Sequence, residues 1–145
     1  MREMRQKGRH ILGILAVCCM MAASMFLAAC GKDDAAAKKV RDLEFSVVTE
    51  AEAPEELRAL IGEKKMQPFK LTYSDEANLF IVVGYGPQET GGYSIRAQEL
   101  YLTDNSIVVK TELLGPEKGE TAAAERSYPV IILKTELLEE PVTFQ

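Results

Sequence analysis

The 145-residue sequence has no tryptophan and one histidine, His10, and its three cysteines, Cys18, Cys19 and Cys30, all fall within the first thirty residues. From Gly31 onward there is neither histidine nor cysteine. A disulfide framework is thereby excluded from that part of the chain, whatever the redox state of its compartment. A zinc site of cysteine and histidine is excluded too. So are Ser-His-Asp and Cys-His nucleophiles, which need an imidazole to take the proton. Most hydrolase chemistry goes with them, and no cofactor is expected. An enzyme using carboxylates alone survives as an alternative. Acids do cluster, at Glu50, Glu52, Glu55 and Glu56 and again at Glu136, Glu139 and Glu140. Neither group has the Asp-rich, glycine-punctuated spacing of a calcium loop. Glu55-Glu56 suits the first turn of a helix, and Glu139-Glu140 before Pro141 reads as a solvated strand exit.

The amino-terminal segment carries an address. Arg2, Arg5, Lys7 and Arg9 precede an apolar run over residues 11–29, which closes on Leu27-Ala28-Ala29-Cys30. Basic, apolar and small-residue segments in that order make a secretory signal peptide. Its end resembles a bacterial lipoprotein lipobox, whose cysteine takes a diacylglyceryl thioether and becomes the first mature residue. The resemblance implies a lipid anchor at Cys30, with palmitate as an acyl group, and an extracytoplasmic place on the cell membrane. A spanning helix needs about 20 apolar residues, so an uncleaved anchor is the competing reading. Gly31, Lys32, Asp33 and Asp34, followed by alanines, argue against it, because they form a spacer with no stop-transfer character.

Cleavage before Cys30 would remove four of the 17 basic residues and one of the 22 acids, taking the net charge from −5 to −8. Such a body is repelled by nucleic acid and by anionic lipid. No nucleic-acid partner is expected, and membrane attachment would rest on the acyl chains, two of which anchor stably. The expected organisation is a signal peptide over 1–29, a lipidated cysteine and flexible tether over 30–39, and one β-rich domain over 40–145.

Within that domain the pattern is mostly strand. Leu43, Phe45 and Val47 alternate with polar residues, as in a half-buried strand. Ala53-Pro54-Glu55-Glu56 opens a short helix with Pro54 at its first position, Leu57, Leu60 and Ile61 as its apolar stripe, and Gly62 as its stop. Phe69, Leu71 and Tyr73 mark a second strand, and Ser74-Asp75-Glu76 a turn. Residues 79–83 are apolar throughout, as a strand covered on both faces would be. Tyr93, Ile95 and Ala97 share a phase that Leu100 and Leu102 break, which predicts a β-bulge near Gln98 and Glu99 or two strands. Asp104-Asn105 is a hairpin turn, and residues 130–133 form the last strand. The words Lys110-Thr-Glu-Leu-Leu114 and Lys134-Thr-Glu-Leu-Leu138 echo each other as similar strand edges. The expected class is mainly β, at the margin of α+β: an antiparallel β-sandwich or curled sheet with one short helix against an end or face.

One loop stands out. Gly84-Tyr85-Gly86-Pro87-Gln88-Glu89-Thr90-Gly91-Gly92-Tyr93 joins the doubly covered strand to the next. Gly84-x-Gly86 follows a strand but opens no helix, so it lacks the helix N-terminus that cradles a phosphate. The glycines read either as a bulged hairpin with Tyr93 in the core or as a partner-binding loop. In the second reading Tyr85, Gly86, Pro87, Thr90, Gly91, Gly92 and Tyr93 form the contact surface, with Gly91 and Gly92 letting a partner's backbone approach.

The run Thr90-Gly91-Gly92-Tyr93-Ser94-Ile95, followed by Ser127-Tyr128-Pro129-Val130-Ile131-Ile132, resembles the C-terminal domain of the protease complex subunit PrcB family, over roughly residues 69–134. The family has proline directly before the threonine; here that residue is Glu89, and Pro87 stands two positions earlier. The resemblance implies a non-catalytic, lipid-anchored subunit that supports a surface protease or other envelope complex through protein contacts. Thr90, a glycine and Tyr93 are also similar to the inhibitory loop of chagasin-type cysteine-protease inhibitors. That alternative expects the loop to project freely beyond the sheet.

Overall fold

The computed structural model describes residues 37–117, 119 and 123–145; the signal segment and Cys30 lie outside them. Two short strands come first, β1 (Lys39–Asp42) and β2 (Phe45–Val48). A 3-10 turn (Glu50–Glu52) and helix α1 (Glu55–Lys64) follow. Then come β3 (Pro68–Ser74), β4 (Asn78–Tyr85), β5 (Ser94–Thr103), β6 (Ile107–Leu114), β7 (Val130–Glu136) and β8 (Val142–Phe144). One sheet has the order β1-β5-β6-β8 and the other β2-β7-β4-β3. Strand pairing is antiparallel but for β6 with β8, which is parallel. The fold is mainly β: a two-sheet sandwich with one helix on an outer face.

β4 explains the arrangement. Leu79, Ile81 and Val83 point between the sheets, where they meet Leu43, Leu100, Ile107, Val109, Ile131 and Leu133. Phe80 and Val82 point the other way, against Leu57 and Ile61 of α1 and Ile132 of β7. A strand with core on both faces can afford no polar alternation, which is why its sequence is apolar without a break. Leu57 and Ile61 are fully buried, each contributing roughly 1.5–3 kcal/mol.

Three details of the helix differ from the expectation. Leu60 is 37% exposed, at the rim of a contact whose buried helix residues are Leu57 and Ile61. Pro54 is the N-cap, one position before the first helical residue. Gly62 lies inside the helix, and a Cβ there would meet nothing within 4 Å. The helix ends ahead of Pro68, whose ring disfavours helical geometry at Gln67.

The bulge is where the phase shift put it. β5 slips against β6 between Ala97 and Glu99, so Gln98 is the extra residue and Ile95, Ala97, Leu100 and Leu102 all reach the same core. Asp104-Asn105 forms the β5–β6 turn, with the Thr103 N–H donating to Ser106 O at 2.8 Å. At the β3–β4 turn the Asp75 carboxylate accepts the N–H groups of Ala77 and Asn78 at 2.9 and 2.7 Å.

Elsewhere the chain departs from the alternation. The expected first strand is two strands in different sheets, with Leu43 buried at the corner between them. Phe45 and Val47 are exposed, because β2 is an edge strand beyond the cover of the facing sheet. β1 begins at Lys39, the last residue of the expected tether, and takes in Arg41. Lys39 pairs with Asp42 at 2.6 Å, and Arg41 with Glu136 at 2.8 Å. β8 is an addition: three residues after Pro141 are too short to announce themselves.

Candidate functional site

The loop begins where β4 leaves the core. Tyr85 is half-buried, and its hydroxyl donates to Thr111 O at 3.2 Å and lies 3.0 Å from Thr111 Oγ1, so it ties one sheet to the other. Its backbone N–H donates to Pro129 O at 3.2 Å. Gly86 then turns the chain with φ +72°, and a Cβ there would sit 2.8 Å from Pro68 Cδ and 2.9 Å from Pro68 N. Both the left-handed geometry and the closeness of β3 require glycine at this position.

The rest of the loop is laced to the segment ahead of β7. Gln88 and Ser127 exchange backbone hydrogen bonds at 2.8 and 3.2 Å. The Ser127 hydroxyl donates to Thr90 O at 2.6 Å. The Gly91 N–H donates to Ala123 O at 2.9 Å, and a Cβ on Gly91 would come within 3.3 Å of Ala123 Cβ. The Gln88 side-chain amide donates back to Tyr85 O at 3.2 Å. Gly92 takes a second left-handed turn at φ +80°. The Tyr93 ring, half-buried, lies beside Gly115.

This lacing sorts the candidate residues. Gly86 is buried; Tyr85, Thr90, Gly91 and Tyr93 are half-buried; Pro87, Glu89 and Gly92 form the exposed crest. The Tyr85 hydroxyl is engaged inside the sandwich, so of the two tyrosines only Tyr93 has its hydroxyl free of a described protein bond. The loop does not project freely, which counts against the chagasin-type arrangement. Glu89 reaches Arg126 only at 4.0 Å with both side chains exposed, a contact of little energetic weight. The partnership of Thr90 with Ser127, 37 residues away, leaves no periodic trace in the sequence.

Among the described residues no three His, Cys, Asp or Glu side chains gather into a metal-binding group. A cleft of about 680 Å³ beside the β1–β2 corner is lined by Asp42, Glu44 and Glu136 together with Arg41 and Lys134. Two of those acids are in ion pairs at the surface.

No curated protein and no solved structure matches the chain. Residues 79–136 match the model of the PrcB C-terminal family, a stretch that runs from β4 through the laced loop to the end of β7 and leaves β3 outside. Over these residues the chain resembles the PrcB C-terminal family.

Proposed function

We propose that this chain is a lipid-anchored, extracytoplasmic accessory protein whose sandwich domain binds a protein partner, a surface protease or another envelope complex. The observation that carries this reading is the match to a family named for a protease complex subunit, since the matched residues contain the entire glycine-rich loop. The role is non-catalytic, as suits a family named for a subunit of a protease complex, and the domain offers a pre-shaped surface. The crest of Pro87, Glu89 and Gly92 is the contact, held rigid from beneath by Gly86, Ser127 and Tyr85. Little ordering entropy is then lost on binding. A diacylated Cys30 would hold the domain at the membrane, within the reach of a short tether.

Crosslinking on intact cells of the native host, followed by mass spectrometry of what co-purifies, tests the role. A surface protease or another envelope protein should be recovered, and Cys30→Ala should release the chain from the membrane fraction. Recovery of the chain alone, or a membrane fraction unchanged by Cys30→Ala, would overturn the respective half of the proposal.

A further inference from the structure

Among the described residues the sandwich has four edge strands, and three of them are guarded. β1 carries Lys39, Arg41 and Asp42 and a register shift between Lys39 and Arg41. β3 opens on Pro68 and carries Lys70, whose ammonium lies 5.5 Å from the centre of the Phe144 ring. β8 is three residues long. Charge, proline, bulge and brevity are the devices that stop an edge from accepting another strand. β2 has none of them beyond modest length. Its sequence is Phe-Ser-Val-Val, its register with β7 is unbroken, and on one face Phe45 is 38% and Val47 61% exposed.

An acid stands near each end of this edge, Glu44 before β2 and Glu50 beyond Thr49, with Lys134 of β7 beside Ser46 between them. Both acids are exposed and neither joins an ion pair among the described residues. A second copy, pairing antiparallel about Ser46, would set Phe45 against Val47 on the apolar face. It would also bring the two copies' acids toward each other. The charge therefore favours a different occupant.

We propose that β2 accepts an extended segment of a partner protein by β-strand addition, the segment having alternating apolar side chains flanked by Lys or Arg. Backbone hydrogen bonds along the free edge supply the affinity. Phe45 and Val47 select the apolar residues, and Glu44 and Glu50 the flanking cations. The inference does not rest on the loop of residues 85–93, which belongs to other strands, so either idea can fail alone.

The probe is a blocked peptide, Lys-Val-Ser-Val-Ser-Val-Lys, titrated against the purified chain beside its Glu-flanked counterpart. The Lys-flanked peptide should bind about tenfold tighter and slow amide exchange within residues 45–48. Val47→Lys, at an exposed position, should lower that affinity about tenfold with unchanged circular dichroism. The double variant Glu44→Lys/Glu50→Lys should reverse the preference. Equal binding of the two peptides, or binding indifferent to Val47→Lys, would overturn the proposal. So would a concentration-dependent dimer abolished by Val47→Lys, which would make a second copy the occupant.

Discussion

The Tyr85 hydroxyl lies 3.0 Å from Thr111 Oγ1 and donates to the Thr111 carbonyl oxygen at 3.2 Å, so the last residue of β4 is fastened to β6 in the opposite sheet. A sandwich has no backbone bonds between its layers, and this side-chain bond fixes how the two sheets meet at the base of the loop. Tyr85→Phe keeps the ring and deletes the bond. It should lower stability by about 1 kcal/mol, read as a lower urea midpoint at unchanged slope.

Two glycines should respond to alanine with opposite signs. At Gly62 the added methyl meets nothing, and the gain in helix propensity should stabilise by about 0.5–1 kcal/mol. At Gly86 the methyl meets Pro68 at 2.8 Å on a left-handed backbone, so Gly86→Ala should destabilise by more than about 1 kcal/mol. Thermal melts of the two variants beside the parent settle the signs.

The helix stripe should split in the same assay. Leu57 is fully buried and Leu60 is at the rim. Leu57→Ala should cost about 2–5 kcal/mol. Leu60→Ala should cost clearly less, since 37% of its surface stays in water.

Three exposed carboxyls are held below their usual range. Asp75 is lowered by the backbone N–H groups of Ala77 and Asn78, Glu52 by the backbone and side chain of Thr49, and Glu112 by Arg96 and then Gln98. A carboxyl that binds its proton less readily when folded stabilises the fold above its unfolded value, near pH 4, and loses that contribution as pH falls through the folded value. Melting temperature should therefore drop below about pH 4. Asp75→Asn and Glu112→Gln should each flatten that drop, because neither amide can titrate.

Much of this was legible in the residues. The uninterrupted apolar run of β4 announced cover on both faces, and the broken phase at Gln98 announced a bulge, because both follow from the two-residue period of a strand. The corner at Leu43-Glu44 was not legible. Alternation continues through it, while the choice of sheet depends on partners far along the chain. The exposure of Phe45 and Val47 failed for the same reason, since an edge is a property of the sheet and no single strand encodes it. At the loop, the motif pointed to residues 84–95 and also to Ser127-Tyr128-Pro129. That these two segments pair through Gln88, Thr90 and Ser127 emerged only from the fold. The pairing makes the site a braced crest with Glu89 near its top.

A photoreactive amino acid at that crest is the most direct test of the central claim. Placed at Glu89 and irradiated on intact cells, it should give one discrete protein adduct, absent when the same group replaces exposed Glu63 on α1. No adduct at 89, or the same adduct at both positions, would contradict a partner-binding role for the loop.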